Sequence, residues 1–335
     1  MKRLTHRKAC LIMLASMGMN AGAVSAVSAV STMSTDDHRI RAHSAKYSAQ
    51  HSAQHSTQHS AEQQNRVAQI PAAVDSAASE AAIAAGIEKI KQNDTTGAIA
   101  DFQRAAALDP TSAAAHYNLG LAYRQLERFQ LAANAFWQAT QADPSLAIAY
   151  VNLGATLLES NNTEQAESYL NRAIEIDPQL GPAYYNMGLL QRKKGDLTAA
   201  FEVFKLAATY NPSAPEPHYH IGAIYQSQGQ SPQAQQAFEQ AIAIDPNYTE
   251  AHYSLGVSLI QQGQAAAAIE SLDQALALRP GFGHAQYAKA LSLAQLQRYD
   301  EARAQMQTAI TSFVSQGQSQ WASLAQQQLT RLEGL

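Results

Sequence analysis

The sequence predicts an all-α solenoid: seven helical hairpins of equal length, stacked in a row and closed by one further helix. Three observations carry that reading. Nearly the same phrase recurs at a fixed step, since AHYNLGLAY (Ala115–Tyr123), AYVNLGATL (Ala149–Leu157) and AYYNMGLLQ (Ala183–Gln191) lie 34 residues apart. Single columns keep the step without a slip, among them Pro110, Pro144, Pro178, Pro212, Pro246 and Pro280. The composition, 46% hydrophobic but only 7% aromatic and 15% charged, is rich in alanine and glutamine, which favour helix over sheet. Self-similarity at this period is the signature of stacked repeats, because one hairpin cannot bury its apolar faces alone.

In chain order, residues 1–26 read as a secretory signal peptide. Basic MKRLTHRK precedes the apolar run ACLIMLASMGM, and small residues follow, with cleavage expected between 23 and 29 and best after Ala26. The apolar run is short for a membrane span. Cys10 lacks the surroundings of a lipidation site, and its loss with the leader would leave a chain without cysteine. Removing Lys2, Arg3, Arg7 and Lys8 would take the net charge from −4 to −8. Export to an extracytoplasmic, oxidising compartment (periplasmic, lumenal or secreted) is the expectation. Membrane contact is expected only through an uncleaved leader.

Residues 27–78 read as a disordered spacer rich in His, Ser, Ala and Gln, centred on SAQHSAQHSTQHSAEQ. His51, His55 and His59 stand four apart and would share a helix face, which makes them the candidate metal ligands of the chain. Nothing in the stretch nucleates a helix, so a plain spacer is the competing reading.

Residues 79–316 divide into seven units, 79–112, 113–146, 147–180, 181–214, 215–248, 249–282 and 283–316. In the second, His116, Leu119, Gly120 and Tyr123 share one helical face; Ala132, Phe136 and Ala139 share a face of a second helix. Gly195, Gly229 and Gly263, with Asn93 and Asn161 in the same column, suit the left-handed residue that ends the first helix. Asp-Pro, as at Asp109-Pro110, closes the second, because a residue before proline is pushed out of the α region. Glycine recurs inside the first helix at 86, 120, 154, 188, 222 and 256, with Ala290 in the seventh place. Since interior glycine costs about 1 kcal/mol, close approach of a partner helix is expected there. The column of Phe102, Phe136, Leu170, Phe204, Phe238, Leu272 and Met306 is expected to fill the gap between units. Beyond Gly317, the stripe Trp321, Leu324, Ala325, Leu329 and Leu332 predicts a capping helix over Ser319–Glu333, within a terminal segment 317–335.

His116, Leu119, Gly120, Tyr123, Ala132, Phe136, Ala139 and Pro144 together resemble the tetratricopeptide repeat (TPR). The resemblance runs over about Ser79–Gln316 and weakens at its ends, where Ala82 and Lys89, then Lys289, Ala290 and Val314, replace consensus residues. It implies a right-handed superhelix whose first helices line a groove for an extended peptide or a partner helix. Family members use an asparagine ladder in that groove to grip a peptide backbone. The corresponding column here holds Asn118, Asn152 and Asn186, then His220 and Ser254. An amide donates and accepts, which suits main-chain recognition. The neighbouring column supplies Tyr117, Tyr185, Tyr219 and Tyr253, while Arg124, Arg192 and Lys193 add positive charge. An acidic partner or a terminal carboxylate would gain there. The lysine clamp of chaperone-binding members is unmatched, because Tyr117 and Leu121 occupy its columns.

No enzymatic motif is present: there is no GxSxG, P-loop or HExxH. His116, His218 and His252 read as packing residues. The net charge of −4 disfavours nucleic acid. The resulting expectation is an exported, non-enzymatic scaffold for a protein or peptide, without a cofactor. Two alternatives stand beside it: a recruiting subunit of a transferase or envelope-assembly complex, and metal handling through the histidine tract.

Overall fold

The computed structural model describes residues 74–334, and the leader, the spacer up to residue 73 and their histidines lie outside that range. Among the described residues the only regular elements are fifteen α-helices. They are α1 (Ser76–Lys91), α2 (Thr95–Leu108), α3 (Ala113–Gln125), α4 (Phe129–Ala142), α5 (Ala147–Glu159), α6 (Thr163–Ile176), α7 (Gly181–Lys194) and α8 (Leu197–Tyr210). There follow α9 (Glu216–Ser227), α10 (Ser231–Ile244), α11 (Thr249–Gln261), α12 (Ala265–Leu278), α13 (Gly283–Gln295), α14 (Tyr299–Ser315) and α15 (Ser319–Glu333). The first eight belong to one compact body ending at Asn211 and the other seven to a second beginning at Pro212. Each odd-numbered helix up to α13 pairs with the next to make a hairpin.

The turns follow from backbone chemistry. A left-handed residue follows each first helix within two positions: Asn93, Glu127, Asn161, Gly195, Gly229, Gly263 and Gln297 have φ between 55° and 84°. Glycine and asparagine reach this region cheaply, whereas Glu127 and Gln297 adopt it against their Cβ. Four hairpins close on an extended aspartate, with φ −135° at Asp109, −134° at Asp143, −131° at Asp177 and −126° at Asp245. Its carboxylate then accepts from the amide two residues on: Thr111 at 3.0 Å, Ser145 at 2.9 Å, Gln179 at 3.0 Å and Asn247 at 2.9 Å. Proline between the two fixes the turn.

Packing within a hairpin is built on the glycine column. A Cβ placed on Gly120 would sit 2.6 Å from the Phe136 ring, and one on Gly188 would sit 2.5 Å from Phe204. The large side chain of the second helix therefore lies on the bare backbone of the first, inside its own hairpin. The sequence expectation had put this column between units; the close contact is with the glycine of the same unit. The seventh hairpin shows the exchange that this requires. Ala290 brings a methyl group, and a flexible methionine, Met306, replaces the ring; both are 0% exposed. Burying each ring contributes about 1.5–3 kcal/mol.

The first helix starts at Ser76, three residues before the periodic frame begins. The Asp75 carboxylate caps the Ala78 amide at 2.9 Å, and the Asp75 amide donates to the Leu108 carbonyl at 3.1 Å. These bonds tie the extra turn to α2, and hydrophobic periodicity does not reveal them. At the other end α15 packs on α14. Trp321 stacks on Phe313 at 5.8 Å, and Trp321, Ala325, Leu329 and Leu332 are buried.

Within each body first helices touch later first helices: α1 meets α3 and α5 meets α7 in one, and α9 meets α11 and α11 meets α13 in the other. Successive second helices do not approach to that degree. The first helices thus line the tighter, inner side of each stack.

Candidate functional site

In the body ending at Asn211, the inner columns of α3, α5 and α7 carry the residues singled out by the sequence. Tyr117 lies on the Phe136 ring with centroids 5.8 Å apart, and Tyr185 lies on Phe204 at 6.0 Å. Their rings are thus part of hairpin packing. The Tyr117 hydroxyl accepts from Asn152 Nδ2 at 3.2 Å. Burial raises its pKa, and the Asn152 bond and the Arg124 charge oppose that rise.

Arg124 links two hairpins. Its Nη1 donates to Asn152 Oδ1 at 3.2 Å and its Nη2 pairs with Glu159 at 3.0 Å. Tyr117, Asn152, Arg124 and Glu159 are therefore one network. Glu159 was not among the expected site residues, yet it stands 35 residues after Arg124, the spacing that brings neighbouring repeats together. Reading pairs at that offset would have exposed it. The positive charge inferred from the sequence is correspondingly reduced, because Arg124 is neutralised at home.

The three asparagines share one habit. Asn118 Nδ2 donates to the Ala114 carbonyl at 2.8 Å, Asn152 to Ile148 at 2.9 Å and Asn186 to Pro182 at 2.8 Å. Each amide leans back on its own helix and holds one rotamer. Asn152 Oδ1 is occupied by Arg124, whereas the amide oxygens of Asn118 and Asn186 accept no hydrogen bond among the described residues. The ladder therefore presents two acceptors flanking a closed rung.

Lys193 and Arg192 stand at the end of α7. Lys193 Nζ donates to the Leu158 carbonyl at 2.8 Å, which also accepts from the Asn161 amide at 3.2 Å, and partial desolvation lowers the Lys193 pKa. Arg192 has no ion-pair partner among the described residues. It is the cation of this face that remains free for a ligand.

In the body beginning at Pro212, Tyr219 packs on Phe238 at 5.8 Å and Tyr253 on Phe282 at 4.9 Å. They belong to a different inner face from the asparagines. The histidine column has a structural task. His116 and His252 reach the carbonyls of Pro110 and Pro246 at 3.0 and 2.9 Å, and Tyr184 and Gln286 do the same to Pro178 and Pro280 at 2.9 and 2.8 Å. One polar tip in each of these repeats latches the helix start to the preceding turn. His218 instead meets Gln240 at 3.0 Å. Among the described residues no three His, Cys, Asp or Glu side chains could hold a metal ion, and no helix is long and apolar enough to cross a membrane. The candidate ligands His51, His55 and His59 lie outside the described residues.

Comparison with known proteins agrees with this architecture. Family models described as TPR repeat match residues 86–126, and models described as tetratricopeptide repeat match 123–188, 181–213, 221–281 and 253–317. No curated protein matches the sequence. Among solved structures, the APC/C hetero-tetramer Cut9–Hcn1 is similar at 18% identity and a TM-score of 0.58; the match covers 64% of this chain but only 43% of that one. Pseudomonas aeruginosa PilF (21% identity, TM-score 0.56) is matched over 64% of this chain and 97% of its own. PilW, titled a widely conserved type IV pilus biogenesis factor, is matched at 22% identity and a TM-score of 0.56 over 62% of this chain and 96% of its own. At these identities the likeness is one of fold. With family models covering most of seven regular repeats, the chain belongs to the tetratricopeptide repeat family.

Proposed function

We propose that this chain is a non-enzymatic scaffold whose asparagine face on α3, α5 and α7 grips the backbone of a peptide or protein partner. The observation that carries this is the state of the ladder. Asn118 and Asn186 are held in place by their own helices, and their amide oxygens are unused. A main-chain N–H donating to each would complete them without any side chain being read. Unpaired Arg192 favours a partner with an acidic side chain or a terminal carboxylate near that end. The pattern of residues 1–26 supports an exported scaffold. The fold likeness to a pilus biogenesis factor is compatible with the second reading, a recruiting subunit of an envelope-assembly complex.

The test begins with crosslinking in native extract and identification of the partner by mass spectrometry. Replacing Asn118, Asn152 and Asn186 together by alanine should weaken binding of that partner by at least about tenfold, roughly 1.4 kcal/mol, with helicity unchanged by circular dichroism. Binding that survives the triple substitution removes the ladder from the account. A catalytic subunit among the crosslinked proteins would favour the recruiting role.

A further inference from the structure

The outer side of the second body holds an open cavity of about 420 Å³ between the second helices α10 and α12, with the start of α11 as its floor. Glu239 of α10 and Glu270 of α12 line it and are exposed, and Ile242 beside them is half-buried. The floor is Leu255 and His252, at 9% and 8% exposure. His252 Nε2 donates to the Pro246 carbonyl at 2.9 Å. A carbonyl can only accept, so the proton of the neutral ring sits on Nε2 and Nδ1 is a lone-pair acceptor. No hydrogen bond occupies Nδ1 among the described residues. Ser271 of α12 completes the lining.

The two carboxylates have no cation of their own. Of the five Lys and Arg residues between 212 and 334, four are engaged elsewhere: Arg279 with Glu250, Lys289 with Asp273, Arg298 with Glu301 and Arg303 with Asp300. Glu239 accepts only from the Gln235 amide, at 2.8 Å, and Glu270 has neither hydrogen bond nor ion pair among the described residues. The next repeat shows what such a place accommodates. There, 34 residues on, Asp273 stands in the column of Glu239 and Lys289 in the column of Leu255, and the two pair at 2.5 Å. The floor of that groove thus supplies its own cation, whereas the floor here is leucine. The open space has a similar origin. Three repeats earlier the column of Ser271 holds Tyr169, whose ring lies 6.3 Å from Tyr150, in the column of His252. Serine in place of tyrosine leaves the groove unfilled. Glu239, Glu270 and His252 do not form a metal-binding set, so an extended cation suits them better than a bare ion.

We propose that this cavity is a binding site for a guanidinium group carried on an apolar stem, the chemistry shared by a free alkylguanidine and an arginine side chain. The stem packs on Ile242 and Leu255, and the planar head offers its N–H donors to Glu239, Glu270 and His252 Nδ1. A guanidinium presents donors in several fixed directions at once, which suits acceptors on three different helices better than a compact ammonium does. The site lies on the second helices and is independent of the asparagine face, so neither result decides the other.

The experiment titrates the isotope-labelled full chain with butylguanidinium and, separately, with butylurea, its uncharged isostere, and follows the backbone amides by NMR. Butylguanidinium should give saturable shifts confined to α10, the start of α11 and α12, with a dissociation constant on the order of 1 mM, and butylurea should bind about tenfold more weakly. Glu239→Gln combined with Glu270→Gln removes the preference for the charged probe and leaves the melting temperature unchanged, since both carboxylates are exposed and without an ion pair. Ser271→Tyr, which copies Tyr169, fills the cavity and abolishes binding. Should that variant fail to fold, Leu255→Lys, which copies Lys289, supplies the cation from the floor and weakens butylguanidinium about tenfold. The tripeptide acetyl-glycyl-arginyl-glycinamide separates the sources. Binding at least as tight as that of butylguanidinium assigns the group to an arginine of a partner protein, and exclusion of the tripeptide assigns it to a free alkylguanidine. The proposal is overturned by the absence of a saturable shift, by shifts scattered over the chain, by equal binding of butylurea, or by indifference to the paired glutamine substitutions.

Discussion

Gly120→Ala sets two ordinary rules against each other, and the structure decides between them. Helix propensity alone says that alanine should stabilise α3 by about 1 kcal/mol. The new Cβ, however, would stand 2.6 Å from two carbons of the Phe136 ring, well inside the 3.5–4.0 Å of a favourable contact. Phe136 is 0% exposed and the Tyr117 ring lies 5.8 Å away, so the ring has no free direction in which to retreat. Overpacking of this kind costs about 1–3 kcal/mol, and the tightness of the contact puts it toward the upper end. The net effect is a loss of about 1–2 kcal/mol. The seventh hairpin supplies the compensating partner, since Ala290 is there matched with Met306. Adding Phe136→Met to Gly120→Ala should therefore return part of the loss, with a favourable coupling of about 1 kcal/mol in a double-mutant cycle. The assay is urea denaturation of the full chain, read as a shift in midpoint at constant slope, because a changed slope would mean that the stack had begun to unfold in pieces. A Gly120→Ala variant that is more stable than the wild type, or a double variant whose effects simply add, refutes the close-packing account of the glycine column.

Glu127→Gly should stabilise by about 1 kcal/mol, since Glu127 holds φ at 55° against its Cβ; the same denaturation curve reads it. Gly195→Ala should do the reverse by about 1–2 kcal/mol, although nothing lies within 4 Å of its missing Cβ, because φ there is 84°. Leu153→Ala should cost about 2–5 kcal/mol as a core deletion, and Leu119→Ala distinctly less, since Leu153 is 2% exposed while Leu119 in the same column is only half-buried. Hydrogen bonds from Thr111 and Ser145 hold the Asp109 and Asp143 carboxyls below the usual carboxylate range. Because folding lowers these pKa values, their contribution is present above about pH 4 and is lost as pH falls through the folded values. Melting temperature followed from pH 6 to pH 2 should thus decline less steeply in the Asp143→Asn variant than in the wild type.

The hairpin was legible because its constraints repeat. Glycine under a large apolar side chain in six hairpins, alanine at 98 and 132 with 0% exposure, and aspartate before proline in four each answer a steric demand that recurs with the repeat, so periodicity alone exposes them. The start at Ser76 was not legible, since capping by Asp75 and its bond to Leu108 occur only once. Glu127 and Gln297 broke the chemical pattern of the left-handed column while keeping its geometry, and only the backbone angle reveals that they belong to it. In the candidate site the columns could be named, but their occupancy could not. The guanidinium of Arg124 looks available in the sequence and is bound to Glu159 in the structure.

These differences have one origin. A column that packs inside a hairpin must satisfy neighbours that are the same in every repeat, so it can vary only by paired exchange, as Ala290 and Met306 do. A column on the inner side meets its own neighbour across repeats only through side-chain tips. Asn152 serves Tyr117 there, yet Ala288 leaves Tyr253 unserved and the fold still closes. Polar residues of the inner columns can thus change their hydrogen-bond partners from repeat to repeat while the stack is kept. That freedom lets one backbone carry Asn118, Asn152 and Asn186 in one body and, at the corresponding positions, His220, Ser254 and Ala288 in the other. Asn152→Ala should accordingly shift thermal stability less than Gly120→Ala does, since it removes hydrogen bonds between side-chain tips and leaves the hairpin packing intact. A melt in which Asn152→Ala costs as much as Gly120→Ala would show that this inner column is as constrained as the core.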